Sequence, residues 1–263
     1  MRRIGLQLCV VLPLLLATPL QAQMVPAPSD TEASVGVVRD PCAVNRPPPE
    51  TSSAYGAWKV RDFANQCRYA QANAALPPAT AHRVVFLGDS IAEAWVKYDP
   101  ELFSNDVLDR GIGGQTTDQI AGRFQQDVVA LHPAVVHILA GTNDIAGNTG
   151  PTSLSRIEAN IRTMVELAKV HHIRVILAAV IPVTRYGWRP EVQAPPQISA
   201  LNAWLKAYAQ TEGVEFVDYG AVLTDGGTGI RSEVSGDGVH PNTLGYRLMR
   251  PLFDKALAKL LRP

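Results

Sequence analysis

Charge of one sign and cysteine are what this chain has least of. Its 24 basic side chains are balanced by 24 acidic ones, with no basic stripe to follow a phosphate backbone and no acidic tail. Nucleic acid is therefore not an expected partner. Three cysteines stand among 263 residues, none in a motif that would make a catalytic or metal-binding thiol. The apolar run from Ile4 to Leu20 is interrupted by Pro13 and falls short of the ~20 unbroken residues that a stable membrane span requires.

That run has a different meaning. Arg2 and Arg3 precede it, and Gln21-Ala22 ends it on a small residue. Residues 1–22 are expected to be a secretory signal, cut after Ala22. No Cys follows the run directly, which argues against a lipoprotein. Cys9 would leave with the signal, so Cys42 and Cys67 remain. In an oxidising compartment they can join in one disulfide, the alternative being two buried thiols. A secreted or periplasmic location follows.

The rest suits one large domain, and a chain 46% hydrophobic and 18% charged can fill a substantial core. From Gln23 to Arg46 it is rich in Pro, Ser, Ala and Thr, and Pro47-Pro48-Pro49 closes this arm. Tyr55, Trp58, Val60, Phe63 and Tyr69 recur near helical spacing, which predicts a short amphipathic helix within 55–75. Residues 23–80 thus read as an N-terminal extension, and a catalytic domain over 81–263. In that domain β-branched runs predict strands over 83–87, 107–112, 135–139, 174–181 and 215–219. Helical patterns fall between them, over 117–131, 152–171 and 197–212, with a closing helix over 244–261. Strands alternating with helices predict an α/β fold with a five-stranded parallel sheet covered on both faces.

Four blocks carry the chemistry: Gly88-Asp89-Ser90-Ile91, Gly111-Ile112-Gly113-Gly114, Gly141-Thr142-Asn143-Asp144 and Asp237-Gly238-Val239-His240. The first three end predicted strands one, two and three, and open α/β sheets bind ligands at the carboxyl ends of their strands. A serine hydroxyl is a weak nucleophile without a positioned base. His240 is the His with an Asp three residues upstream, in a Gly-containing loop before a helix. A metal pair made of Asp237 and His240 alone lacks further ligands. A Gly-x-Ser-x-Gly elbow, the mark of an α/β-hydrolase, is absent because the fifth position is Ala92.

Together the blocks resemble those of the SGNH hydrolases, also called the GDSL esterase/lipase family, and in it the platelet-activating factor acetylhydrolase-like branch. The likeness runs from Arg83 to Leu261. It implies a flavodoxin-like three-layer α/β/α sandwich, with strand order 2-1-3-4-5. It also implies a catalytic set of Ser90, Asp237 and His240, an oxyanion hole from Ser90, Gly114 and Asn143, and no metal or other cofactor. Ile91 stands where the motif's name has Leu, an apolar exchange. Gln115 stands where the family's second block often has an acid, and is expected to tune the pocket.

Trp95, Asp144 and Trp188 are further candidates for substrate contact, Trp188 within the aromatic loop Thr184-Arg185-Tyr186-Gly187-Trp188-Arg189 after strand four. His137 reads as a hydrogen-bonded core residue, and His171-His172 as a helix end. The expected activity is hydrolysis of short-chain esters, with acetylated sugars the first candidates. Lysophospholipase or arylesterase activity, acyl transfer to a polysaccharide, and carbohydrate binding without catalysis are the alternatives. No stable membrane span is expected.

Overall fold

The computed structural model describes residues 41–44, 59 and 62–261. The expected signal segment, with Cys9, and the arm up to Asp40 lie outside the described residues, as do Tyr55, Trp58 and Val60. The chain divides into two units. In the first, residues 1–44, one described helical turn is α1 (Pro41–Val44). Cys42 and Cys67 are both disulfide-bonded.

In the second unit, five strands form one parallel sheet: β1 (Val84–Gly88), β2 (Val107–Gly111), β3 (Val135–Leu139), β4 (Arg174–Ala178) and β5 (Glu215–Val217). Their order is β2-β1-β3-β4-β5, as the resemblance implied. The central strands β1 and β3 are buried at every position, so each face of the pleat meets a layer of helices. Val84 and Phe86 face one way, toward Trp95 of α3 (Ser90–Tyr98) and toward Tyr246 and Phe253 of α9 (Thr243–Leu260). Val85 and Leu87 face the other way. There they meet Ile120, Phe124, Ile161 and Leu205 of α4 (Thr117–Gly122), α5 (Phe124–Asp127), α7 (Leu154–Val170) and α8 (Ala194–Glu212).

Register decides where function can gather. Gly88 at the end of β1 pairs with Gly111 of β2 on one side and Leu139 of β3 on the other. The loops after these strands therefore leave the sheet at one level. The chain runs from β1 outward to β2 and then returns across β1 to β3, so the loops after β1 and β3 part at a topological switch point. That parting opens a crevice. Here α3 packs directly on β2: a Cβ on Gly111 would run into the backbone of Glu93.

Three expectations are corrected. The helix expected over 117–131 is broken into α4, α5 and a 3₁₀ turn (Val129–Leu131). Its apolar face survives, since Ile120, Phe124, Val128 and Leu131 are all buried in one core. The break falls at Arg123 (φ −114°, ψ 7°), whose side chain turns inward. It donates to the carbonyls of Gly88 (2.9 Å) and Arg110 (2.7 Å), to Gln115 Oε1 (2.7 Å) and to Asp127 Oδ2 (3.1 Å).

Second, the ladder of β4 stops at Ala178, short of the expected 181. The chain stays buried, and Asn202 continues the pairing with its side chain. It accepts from Val180 N–H and donates to Val180 C=O, each at 2.8 Å.

Third, the amphipathic helix expected within 55–75 is not formed by its described part. Residues 62–68 are turns, α2 (Ala70–Ala74) buries no side chain, and Phe63 is exposed. Polar contacts hold this segment instead. Gln119 donates to Phe63 O (2.7 Å), Gln115 to Ala64 O (2.8 Å), and Asn73 to Asp127 Oδ1 (2.8 Å).

Arg123 and Asp127 are a fully buried ion pair. Removing one partner of such a pair leaves the other charged and desolvated, at a cost of about 3–5 kcal/mol. Arg123→Leu should lower the unfolding free energy by that amount in urea titration, and adding Asp127→Leu should restore part of it. A loss under about 1 kcal/mol for Arg123→Leu would mean that this guanidinium does not brace the fold.

Candidate active site

The first piece comes from the β1–α3 junction. Asp89 caps α3, accepting the Ile91 N–H at 3.0 Å. Ser90 is thus the first helical residue, and its own N–H has no intrahelical acceptor. Its hydroxyl lies 2.9 Å from His240 Nε2, although the two residues are 150 apart in sequence.

His240 is delivered by a loop wound around one carboxylate. Asp237 Oδ1 accepts the N–H groups of Val239 (2.9 Å) and His240 (2.8 Å) and the Ser235 hydroxyl (3.2 Å), while Oδ2 meets His240 Nδ1 at 2.7 Å. A carboxylate only accepts, so Nδ1 carries the ring proton and Nε2 presents its lone pair to the Ser90 hydroxyl. Partial burial opposes the charged form of Asp237. The bonds from the His240 backbone and ring and from Val239 outweigh it and hold this carboxyl down at about 2. The pair stays open to solvent, at 35% exposure for the His240 side chain and 53% for Asp237.

The opposite wall is made by the loops after β2 and β3. Gly113 approaches Ser90: a Cβ there would stand 3.7 Å from Ser90 Cβ. Its N–H is bound by Glu93 Oε2 at 2.8 Å. Gly114 takes φ +76°, a left-handed conformation that any side chain would strain. Its N–H has no acceptor among the described residues. Asn143 lies in the short α6 (Thr142–Ile145) and is buried. Its Nδ2 donates to Gln115 O (3.0 Å), and its Oδ1 accepts from Asn148 Nδ2 (2.8 Å). One Nδ2 proton is left over. The arrangement offers a hydroxyl beside a base on one side and spare N–H donors on the other.

Several expected residues stand elsewhere. Trp95 is fully buried among Phe86, Tyr219 and Tyr246, so it packs the core and touches no substrate. Asp144 is buried too, with both oxygens taken by Thr117, the hydroxyl at 2.6 Å and the N–H at 2.9 Å. It ties α6 to α4, and burial pushes its carboxyl up to about 6. The Gln115 side chain does not tune a pocket, because it is buried between Arg123 and Ala64. His137 is a core residue, its Nε2 2.9 Å from the Tyr219 hydroxyl, and burial pushes it down to about 3. His171 and His172 precede β4 at the opposite edge of the sheet.

Trp188 is 46% exposed. The buried Tyr186 anchors its loop through a 2.9 Å bond with the Thr142 hydroxyl, and the Trp188 indole N–H donates to Asn148 Oδ1 at 3.1 Å. Asn148 escapes sequence reasoning altogether. Between Gly147 and Thr149 it reads as a turn residue, which ties it locally to Asn143, and only tertiary contact brings it to Gly114 and Trp188.

Among the described residues, no group of three or more His, Cys, Asp or Glu could hold a metal ion, and no helix is long and apolar enough to cross a membrane.

Known proteins resemble this chain in sequence and fold. Residues 86–248 match the model of the GDSL-like Lipase/Acylhydrolase family. A solved structure from Bacteroides fragilis, described as an acylhydrolase, is 47% identical with a TM-score of 0.74, over 76% of this chain and 99% of its own. A GDSL-like lipase from Bacteroides thetaiotaomicron is 42% identical with a TM-score of 0.73, over 76% of this chain and 100% of its own. YqeF, an uncharacterized lipoprotein of Bacillus subtilis, is 37% identical over 97 residues. That match spans 35% of this chain and 40% of the relative's length.

Burial raises the Asp89 carboxyl to about 7, against the Ile91 hydrogen bond and the nearby His240, which favour its charged form. Unfolded, it titrates near 3.9. Between about pH 4 and 7 the folded chain keeps a proton that the unfolded chain has lost, so this group's contribution to stability declines as pH rises through that window. Asp89→Asn keeps an oxygen for Ile91 and cannot titrate. Its unfolding free energy relative to the parent should therefore improve steadily from pH 4 to pH 7. A difference that stays flat across that range would mean that Asp89 is charged throughout.

Proposed function

The chain belongs to the GDSL-like lipase/acylhydrolase family, and on that premise we propose that it is an exported serine esterase acting through an acyl-enzyme. The reading rests above all on the unbroken line from Asp237 to His240 to Ser90, with contacts of 2.7 and 2.9 Å. Ser90 Oγ attacks the ester carbonyl as its proton passes to His240 Nε2. Asp237 holds the imidazole in the reactive tautomer and offsets the charge it gains. The carbonyl oxygen becomes an anion, received by the N–H groups of Ser90 and Gly114 and by the spare Asn143 proton. Each such donor contributes about 3 kcal/mol to the barrier reduction. Collapse of this intermediate expels the alcohol, protonated by His240. Water then repeats the cycle on the acyl-serine and frees the acid. No step calls for a metal.

Acetyl and other short acyl groups on carbohydrate are the proposed substrates. The Asp237–His240 pair stands open to solvent, so a bulky alcohol can leave without entering a tunnel. The exposed Trp188 indole offers a face on which a sugar can stack. Export is supported by the disulfide-bonded Cys42 and Cys67, since such bonds persist in oxidising compartments.

A panel of aryl esters and acetylated xylo-oligosaccharides, varied in acyl length, tests the substrate reading. Turnover should fall steeply beyond short chains; a maximum at eight carbons or more would refute it. Ser90→Ala, His240→Ala and the double variant should each lose a similar factor of at least about 10⁴ in kcat, because a nucleophile and its base act as one unit. Losses that multiply would break the shared mechanism.

A further inference from the structure

We infer that Asn148 is a positioning residue for the oxyanion hole, and that the exposed Trp188 fixes its orientation. The inference rests on the reading of Asn143 and Gly114 as oxyanion donors.

The physical problem is the two-fold symmetry of a carboxamide. Asn143 helps an oxyanion only when Nδ2 faces it, and a half-turn about the last side-chain bond would present Oδ1, a repelling lone pair, instead. Nothing in the residue itself prevents that half-turn. Its partners do. Gln115 O can only accept, and it takes one proton of Asn143 Nδ2 at 3.0 Å. Asn148 Nδ2 can only donate, and it gives to Asn143 Oδ1 at 2.8 Å. In the flipped state both contacts would become like against like.

Asn148 is itself an amide with the same ambiguity, and its neighbours resolve it. The Trp188 indole N–H can only donate, and it reaches Asn148 Oδ1 at 3.1 Å. The Gly114 carbonyl can only accept, and it takes the second Asn148 Nδ2 proton at 3.2 Å. A donor-only indole at one end and acceptor-only carbonyls at the other give the chain Trp188–Asn148–Asn143 a single direction. The same Asn148 amide thus touches both residues assigned to the hole. Its backbone N–H adds a further tie, to Asn143 O at 3.0 Å. Because Trp188 and Asn148 are both exposed, the hole is oriented from the outer rim, where an arriving substrate first meets the protein.

The test is steady-state kinetics on 4-nitrophenyl acetate with the full chain. Asn148→Ala should lower kcat roughly 10-fold with KM within about twofold, part of what deleting an oxyanion donor costs. Asn148→Asp, which keeps the shape and loses both protons, should lower it further. Trp188→Phe keeps the ring without its N–H, and should lower kcat by about threefold in the parent but not in Asn148→Ala. In an Asn143→Ala background, Asn148→Ala should cost no more than about threefold. A resident structural role would instead carry its full factor into that background, and fully multiplicative losses overturn the inference, as does an unchanged kcat for Asn148→Ala. Should Asn148→Ala fail to fold, Trp188→Phe carries the test alone: an unchanged kcat overturns the inference. If Asn143→Ala itself leaves kcat within about twofold of the parent, the oxyanion reading fails first, a result separable from the others.

Discussion

A guanidinium with no access to water must spend its donors on protein, and Arg123 spends them where the loops carrying Ser90 and Gly114 begin. Burying that charge is costly unless it is both paired and hydrogen-bonded. Asp127 supplies the pairing, and the carbonyls of Gly88 and Arg110 with the Gln115 side chain supply the rest. Gly88 is two residues before Ser90, and Gln115 directly follows Gly114. One side chain therefore sets the spacing between the ends of β1 and β2 and the start of the loop beyond. The break between α4 and α5 falls at this same residue.

From that brace the site is built mostly by backbone groups answering side-chain acceptors. Asp89 holds the first turn of α3, Glu93 holds Gly113, Asp144 holds Thr117, and Asp237 gathers the loop that bears His240. Each of these carboxyl groups ties a loop or the first turn of a helix to its neighbour, which is how segments at a sheet edge keep a geometry fine enough for chemistry. The two sides of the site differ in kind. On one side the Asn143 side chain is buried and held by Gln115 and Asn148, with Gly114 exposed beside it, and on the other the Asp237–His240 pair stands in the open.

Much of this was legible in the residues. Continuous β-branched runs such as Val84–Leu87 and Val135–Leu139 announce buried strands because both faces of a central strand exclude water. Their alternation with helical patterns leaves few topologies. The four blocks were readable because three of them follow the ends of those strands, and strand ends in a parallel sheet share one edge. Asp237 and His240 were readable because a three-residue spacing can close on itself.

Other features obey forces that act across the chain. Trp95 and Trp188 are the same residue near the same site, yet one is sealed among aromatic rings and the other faces solvent. Local spacing carries no mark of that difference. Asn148 and Arg123 hide for a related reason: a turn asparagine and a helix arginine look ordinary until their partners, up to 40 residues away, arrive. Periodicity by itself determined which faces are apolar, and hence the sheet, its covering layers and the edge where the blocks meet. Which donor meets which acceptor was decided only by the tertiary structure, because a hydrogen bond depends on tenths of an ångström between loops that the sequence holds far apart.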